Sequence, residues 1–305
     1  KKRTIIAYYF QSNYNFETIG IVAGFRFDRY SDFGNSFNPR LGFVYKPLKD
    51  LSLKLLYGQA FRAPTFKELY DNTNISSDGI IGDKNLKPET VKSAEFGIEY
   101  TFWKILLRSN IFYNITNDMI SPFDEHGSGG VGRYANIGST NSYGTEGEII
   151  ASFHKNFGMY FNMSWVETIF EWNNDVFKAN SGKSPSLSEK EKVLYNFPNL
   201  RINGGLNFKL FDFEGFAGVN YGNESINNHR RTLEKQHPVK IPDYVSFNFN
   251  VMYNLSDNFI IRMTGKNIGT QKYSDPDESN YIDAFGEKGI AQPTQEYMGY
   301  LIYRF

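Results

Sequence analysis

The 305-residue chain has no cysteine, no net charge and no long apolar run. Without cysteine it forms neither disulfide bonds nor thiolate metal sites. Its 33 basic and 33 acidic side chains leave no cationic excess to release the counterions of a nucleic acid, which argues against a nucleic-acid partner. No segment approaches the roughly 18 apolar residues of a spanning helix. The mean hydropathy of −0.47 likewise excludes a helical membrane protein.

Aromatic residues, by contrast, make up 17% of the chain, and they recur in segments where every second residue is apolar. The clearest pair of segments covers residues 40–46 and 51–58, which flank a turn at 47–50. A period of two on both sides of a short turn predicts a β-hairpin. Lysine and arginine lie on the second face of the hairpin, where a packed core would not accept them unpaired. One face therefore suits lipid, and the other suits a wet interior.

The same alternation predicts about thirteen strands, joined by connections that are alternately short and long. Short turns are predicted at residues 12–15, 47–50, 102–104, 154–158, 211–212 and 256–258. Polar loops are predicted at residues 31–37, 61–87, 122–132, 171–196, 222–243 and 267–294. This pattern is typical of an antiparallel transmembrane β-barrel with short periplasmic turns and longer external loops. An odd strand count predicts a part of a larger barrel, because an open sheet edge in lipid leaves backbone groups unsatisfied.

Three motifs carry a resemblance to a known family. They are NPRLGFVYKP at residues 38–47, YGQAFRAPTFKELYD at 57–71 and NLKPET at 85–90. In their order and strand context these motifs resemble the barrel of TonB-dependent outer-membrane receptors. A terminal phenylalanine such as Phe305 is also typical of that family. In that family a FRAP-type motif closes an upward strand, a variable external loop follows, and an N-L-x-P-E motif begins the next downward strand.

The resemblance implies an all-β fold, an antiparallel barrel of about twenty-two strands around a plug. No signal peptide is visible, and neither is the plug. Residues 1–305 are therefore expected to form the carboxy-terminal part of the barrel, with the amino-terminal strands and the plug absent from this chain.

The implied function is TonB-dependent uptake of a scarce nutrient across the bacterial outer membrane, with a ferric siderophore or other iron chelate as the leading cargo. The implied partners are the TonB energy-transducing complex, which acts on a TonB box before the plug, the chelate, and outer-membrane lipid and lipopolysaccharide. The barrel assembly machinery is a further partner, since Tyr303 and Phe305 resemble the signal that it reads. No cofactor is implied.

Five residues of the predicted external loops are candidates for ligand contact: Arg62, Tyr70, His229, Arg230 and Arg231. The favoured interpretation of Arg62 is that it shapes the junction of strand and loop by pairing with a nearby carboxylate. The basic segment around His229 is suited to attract an anionic chelate or a lipopolysaccharide phosphate by electrostatic steering. A plain solvated loop is the favoured interpretation of that segment.

Metal and haem sites have weaker support. Haem receptors with this pattern have a histidine between the two motifs, and residues 61–89 contain none. His126 lies beside Asp124 and Glu125, but a solvated loop accounts for it. Asp275, Asp277 and Glu278 lack the glycine-turned spacing of an EF-hand loop. No metal site is predicted. The charged residues of the predicted inner face are interpreted as interstrand pairs and plug contacts: Glu95, Glu99, Arg108, Glu146, Glu148, Arg201, Lys209, Arg262 and Lys266.

Several other functions stay open from the sequence. They are a passive porin-like channel, a receptor for cobalamin, haem, another metal complex or an oligosaccharide, and a surface receptor for adhesion or for phage and colicin capture. An outer-membrane enzyme is not predicted, because no histidine lies on a strand with a serine and a carboxylate at matched depth.

Overall fold

A computed structural model of the protein describes residues 2–72, 80–123, 132–173, 190–192, 198–227, 239–269, 274–275, 290–291 and 295–304. Its elements in chain order are β1 (Ile5–Asn15), β2 (Ile19–Tyr30), β3 (Gly34–Leu48), β4 (Leu51–Arg62), α1 (Phe66–Tyr70), β5 (Ile80–Ile81), β6 (Glu89–Phe102), β7 (Ile105–Phe123), β8 (Gly132–His154), β9 (Phe157–Trp172), β10 (Lys190–Lys192), β11 (Leu200–Leu210), β12 (Phe213–Gly222), β13 (Ser225–Asn227), β14 (Val239–Ile241), β15 (Tyr244–Asn254), β16 (Phe259–Ile268), β17 (Ser274–Asp275), β18 (Ile290–Ala291) and β19 (Glu296–Tyr303). Within the described residues, no helix has the length and apolar character needed to cross a membrane.

The principal sheet confirms the predicted strand count. Among the described residues it contains thirteen long strands in the order β1-β2-β3-β4-β6-β7-β8-β9-β11-β12-β15-β16-β19, with β5 and β10 added at β8 and β9. Each long strand lies beside the next long strand in the chain. This is the meander that alternating segments joined by hairpins produce.

Six connections at one end of the sheet, here called the short-turn end, contain two to four residues. They are residues 16–18, 49–50, 103–104, 155–156, 211–212 and 255–258. The predicted alternation of connections is therefore confirmed at this end. The prediction of a turn at 12–15 was wrong: Ser12 to Asn15 continue β1 and pair with Ala23 to Gly20 of β2. Polar side chains do not prevent this, because the ladder uses backbone groups.

At the opposite end, here called the long-loop end, the strands extend further than alternation predicted. β3 begins at Gly34, so the connection from β2 contains only residues 31–33, and β8 covers 23 residues from Gly132. The prediction of a loop over all of 31–37 was therefore wrong. A membrane-spanning strand needs about 9–11 residues. The remainder of a longer strand lies in water on both faces and need not alternate.

The described parts of the segment predicted as one loop at 61–87 contain secondary structure. They contain the end of β4, then α1, then β5, which pairs in parallel with β8 through Ile80 and Gly132. The parts of the other predicted loops that the structure describes contain the short strand pairs β10 with β9, β13 with β14, and β17 with β18.

The chain divides into two compact units. The first comprises Lys1–Gly97, Ile111–Tyr143 and Glu167–Val193, and it includes β1 to β4, α1 and the long-loop parts of β6 to β9. Its most buried side chains include Leu69, Leu86, Pro64 and Asp28. The second comprises Ile98–Asn110, Gly144–Val166 and Leu194–Phe305. Ala151 and Ile260 are buried there.

Charged side chains of neighbouring strands pair with one another, as predicted. In the second unit, Arg108 of β7 lies between two carboxylates, with Nε 3.1 Å from Glu99 Oε2 and Nη1 2.9 Å from Glu148 Oε2. Lys209 of β11 pairs with Glu214 of β12. Lys266 of β16 lies 3.6 Å from Glu296 of β19. Contact of this charged face with a plug remains a prediction.

Candidate functional site

Arg62, the last residue of β4, is the centre of a cluster at the long-loop end. Its Nε and Nη2 donate to Oε2 and Oε1 of Glu89 at 2.6 and 2.8 Å. Its Nη1 donates to both carboxylate oxygens of Glu68 at 3.0 and 3.1 Å. The amide of Ile120 in β7 donates to the same Glu89 Oε1 at 2.7 Å. We call these four residues the Arg62 junction; it connects β4, α1, β6 and β7.

Glu68 takes part in the junction because of the way α1 begins. Thr65 is the N-cap residue, and its hydroxyl accepts from the Glu68 amide at 3.2 Å. The Glu68 carboxylate in turn accepts from the Thr65 amide at 2.7 Å. This reciprocal capping box fixes the first turn of a helix of only five residues. The capping box therefore holds the Glu68 carboxylate where it can accept hydrogen bonds from Arg62.

The segment after α1 returns against the helix at Gly82. The Gly82 amide donates to Asp71 O at 2.7 Å, and the Asp83 amide donates to Glu68 O at 2.8 Å. A Cβ at Gly82 would lie 2.5 Å from the backbone nitrogen of Tyr70. This close approach requires glycine. Leu69, buried to 1% exposure, lies on the same helix.

Asn136 of β8 forms a second cluster beside the junction. Its Oδ1 accepts from the Lys87 amide at 2.9 Å, and its Nδ2 donates to Lys87 O at 3.0 Å. The same Nδ2 donates to Asp118 O in β7 at 2.7 Å. Asp118 has a φ of +55°, in the left-handed region. One amide side chain therefore joins the N-L-x-P-E segment to two strands.

Arg3 holds the other side of the loop base. Its Nε donates to Asp32 Oδ2 and its Nη2 to Pro64 O, both at 2.7 Å. Its guanidinium carbon lies 5.0 to 5.5 Å from the ring centroids of Tyr30, Phe33 and Phe66. These distances are typical of cation–π contacts. Arg3 and the Arg62 junction thus fix the segment 64–71 from two directions.

The charges of the junction reinforce one another. The hydrogen bond to Glu89 is the main reason that the pKa of Arg62 is raised. Burial alone would raise the pKa of Glu89, but the hydrogen bonds from Arg62 and from the Ile120 amide outweigh it and lower that pKa. Both groups are therefore ionised across the ordinary pH range. Arg62 is the last residue of β4 and Glu89 is the first residue of β6, so both lie at strand ends on the long-loop side.

The predicted site residues have different outcomes. Arg62 directs four hydrogen bonds to two carboxylates, and Tyr70 ends α1 with its ring 6.2 Å from that of Phe66. His229, Arg230 and Arg231 lie outside the described residues, as do His126, Asp124, Glu125, Asp277, Glu278 and Phe305. Tyr303 ends β19, with its ring 4.9 Å from Phe259. Ligand contact at these positions stays a prediction.

Sequence reasoning missed three residues of this region. Thr65 had a usable signal, since T-F-K-E matches the S/T-x-x-E pattern of a capping box. Arg3 and Asn136 had none, because their partners are up to 63 residues away for Arg3 and 49 for Asn136. The arrangement consists mainly of paired charges and hydrogen bonds, although Asp32 Oδ1 is buried without a hydrogen-bond partner among the described residues. These contacts hold in place the segments that enter and leave a loop.

Comparison with known proteins identifies the family to which this fold and loop base belong. Residues 1–268 match the family model for the TonB dependent receptor-like beta-barrel. The chain therefore belongs to the TonB-dependent receptor family, and it forms part of an outer-membrane β-barrel. Members of this family are receptors and transporters rather than enzymes.

Two curated relatives resemble parts of the chain. The ferric enterobactin receptor PirA of Pseudomonas aeruginosa is 26% identical over 164 residues, covering 48% of this chain and 22% of the relative. The vitamin B12 transporter BtuB of Vibrio vulnificus is 30% identical over 144 residues, covering 47% of this chain and 22% of the relative.

Solved structures resemble almost the whole chain. The siderophore receptor PirA from Acinetobacter baumannii has a TM-score of 0.72 at 18% identity and covers 99% of this chain and 46% of its own. The FrpB iron transporter from Neisseria meningitidis has a TM-score of 0.73 at 14% identity, with 99% and 45% covered. These likenesses concern the fold. The chain spans less than half the length of these solved structures, and its matches cover about a fifth of the two curated relatives.

Proposed function

We propose that this chain is the carboxy-terminal wall of a gated outer-membrane receptor that takes up a ferric siderophore by TonB-dependent active transport. The observation that carries the proposal is the thirteen-strand meander with its strand-to-loop junction. It combines the family's barrel architecture with an organised loop base at the long-loop end.

The proposal includes further strands and a plug outside this chain. The solved neighbours are about twice as long as this chain. Each match covers 99% of this chain but only 45–46% of the solved structure. A concavity of about 670 Å³ on the first unit is one surface that we propose the plug contacts. Its lining includes Glu17, Arg40, Lys46 and Glu95, so both signs of charge are available to a polar partner.

Transport in this proposal depends on the missing part of the receptor. The TonB complex acts on a TonB box ahead of the plug, and the plug rearranges to open a path. This chain supplies the wall, the external loops, the surface that meets lipid and lipopolysaccharide, and the terminal residues Tyr303 and Phe305 for the barrel assembly machinery. Passive diffusion through an open pore is the alternative, and it requires no energy source.

An iron chelate is favoured as cargo over cobalamin by the balance of the comparisons. Ferric enterobactin receptors, a siderophore receptor and an iron transporter resemble this chain, beside one vitamin B12 transporter. The basic segment His229-Arg230-Arg231 is suited to attract an anionic chelate.

The Arg62 junction supports cargo binding indirectly. Fixing the residues that enter and leave the loop reduces the entropy lost when the loop orders on a ligand. Arg62 therefore acts here as a positioning residue, while Tyr70 remains a predicted direct contact.

The test is uptake by cells that carry or lack the gene for the complete receptor, grown under iron limitation. Radiolabelled ferric enterobactin and radiolabelled cobalamin are compared, each with and without a functional TonB. Uptake of the iron chelate is expected to fall to background on loss of either the receptor or TonB, while cobalamin uptake is unchanged by loss of the receptor.

Each other outcome points to a specific alternative. Loss of cobalamin uptake alone identifies the cargo as a corrinoid and refutes the siderophore assignment. Iron-chelate uptake that persists without TonB indicates a passive channel. If loss of the receptor changes neither uptake, the panel is extended to haem and oligosaccharides, and the iron-chelate proposal fails for enterobactin.

A further inference from the structure

An apolar groove lies at the short-turn end of the second unit. It has a volume of about 640 Å³ and is lined by Phe153, Phe157, Met159, Leu206, Phe208 and Leu210, with His154 at its end. This size is within the range of about 300–1,000 Å³ that is usual for small-molecule sites. Almost all of its lining surface is carbon.

The groove lies on the membrane face of the sheet. Leu206, Phe208 and Leu210 alternate along β11 with Asn207 and Lys209, and Lys209 pairs with Glu214 on the opposite, charged face. Leu206 is 58% exposed in the isolated chain. In a family whose short turns lie on the periplasmic side, this end of the membrane face meets the inner leaflet of the outer membrane.

The end of the groove toward the turns is cationic. Lys104 Nζ lies 3.1 Å from the carbonyl oxygen of the lining residue Phe153, and 5.2 Å from the ring centroid of Trp103. Lys155 is exposed in the turn that directly follows the lining residue His154. The turn between β11 and β12 has one carboxylate, Asp212, so the three turns next to the lining strands contain two lysines and one acidic residue.

The apolar groove matches the acyl chain of an amphiphile, and its cationic end matches an anionic head group. We propose that this groove is a specific site for an anionic glycerophospholipid of the inner leaflet, such as phosphatidylglycerol. One acyl chain lies along Phe157, Leu206 and Phe208, and the phosphate is bound by Lys104 and Lys155. A zwitterionic phospholipid offers the same chain but no net charge, so the two lysines set the preference.

The site has a structural consequence for the receptor. A bound lipid joins the β6–β7 turn, which carries Lys104, to the β8–β9 turn, which carries Lys155. It thereby supports the ends of two hairpins from outside the backbone ladder. This role is independent of the cargo and of the loops at the long-loop end.

The test is native mass spectrometry of the complete receptor, exchanged into detergent with equal amounts of phosphatidylglycerol and phosphatidylethanolamine. The wild-type protein is expected to retain one phosphatidylglycerol in clear preference. Lys104→Gln and Lys155→Gln are each expected to reduce that preference about five-fold, which corresponds to ~1 kcal/mol per basic residue at a membrane surface.

Two control variants separate this site from general lipid binding. Lys49→Gln changes an exposed lysine in another short turn and is expected to leave the preference unchanged. Leu206→Trp fills the groove with both lysines intact, and it is expected to reduce retention of both lipids. Gel mobility without heating shows that each variant is a folded barrel.

Equal retention of the two lipids by the wild-type protein overturns the proposal. So does a preference that survives both lysine substitutions, or one that Lys49→Gln reduces to the same extent. Retention that Leu206→Trp leaves unchanged refutes the acyl-chain position.

Discussion

Arg62 and Glu89 are 27 residues apart in the chain and form a two-bond ion pair, with distances of 2.6 and 2.8 Å. One is the last residue of β4, and the other is the first residue of β6. Everything between them, including α1 and β5, is therefore held at both ends by one pair of side chains. Glu68 adds a second carboxylate from within that segment.

Arg62→Lys is expected to loosen the segment between the two strands. Lysine keeps the charge but cannot present two parallel N–H groups to Glu89. Because the Arg62 side chain is 43% exposed, the expected cost is ~1 kcal/mol or less. Hydrogen–deuterium exchange of residues 64–71 should accelerate by up to about five-fold. Arg29→Lys, a change to an exposed arginine of β2, is the matched control and should have no such effect.

The junction should also weaken in acid. The folded-state pKa of Glu89 is below its usual value of 4.5, so its contribution to stability is complete above pH 4.5. It is lost as the pH falls through the lower, folded-state pKa. The measurement is the ratio of the exchange protection of residues 64–71 in the wild-type protein to that in the Glu89→Gln variant. This ratio should be constant above pH 4.5 and should approach one as the pH falls below it. A ratio that does not change with pH would exclude Glu89 as the titrating group.

Asn136 is expected to tolerate neither alanine nor aspartate. Alanine removes three hydrogen bonds, at an expected ~1 kcal/mol for each bond that is not replaced by water. Aspartate keeps the acceptor for the Lys87 amide, but it places a carboxylate against two carbonyl oxygens. Trypsin cleavage after Lys84, in the segment that leads to Lys87, should be faster in both variants.

Asn141→Ala is the comparison for this residue. Asn141 lies on the same strand and accepts one hydrogen bond, from Tyr113 at 3.2 Å. Its loss should leave cleavage after Lys84 close to the wild-type rate. Equal sensitivity of the Asn136 and Asn141 variants would show that β8 is loosened in general.

Gly82→Ala is expected to displace α1. The added methyl group would meet three backbone atoms of residues 69–71 within 2.8 Å, and backbone cannot rotate away as a side chain can. The hydrogen bond from residue 82 to Asp71 O should lengthen, and the amides of Leu69 and Asp71 should lose exchange protection. Gly58→Ala, where a Cβ meets nothing within 4 Å, is the control. Equal effects of the two substitutions would refute the close-approach argument.

The alternation of side chains was sufficient to predict the sheet, because period two is set by the strand backbone itself. Leu206, Phe208 and Leu210 on one face, with Asn207 and Lys209 on the other, required no knowledge of their neighbours. The pairing of Arg108 with acidic residues of the adjacent strands also followed, since adjacent strands of a meander share one face. Where the strands leave the membrane, as in the first ten residues of β8, alternation ends and the prediction stopped short.

The sequence by itself therefore determined the strand count, five of the six short turns and the family. These depend on local periodicity and on short motifs such as F-R-A-P and N-L-K-P-E. Only the tertiary structure decided that Arg62 pairs with Glu89, that Asn136 holds Lys87, and that Arg3 lies among three aromatic rings. Those contacts join residues 27 to 63 positions apart. Strand register, which is a property of the whole sheet, brings such residues together, and no local pattern encodes it.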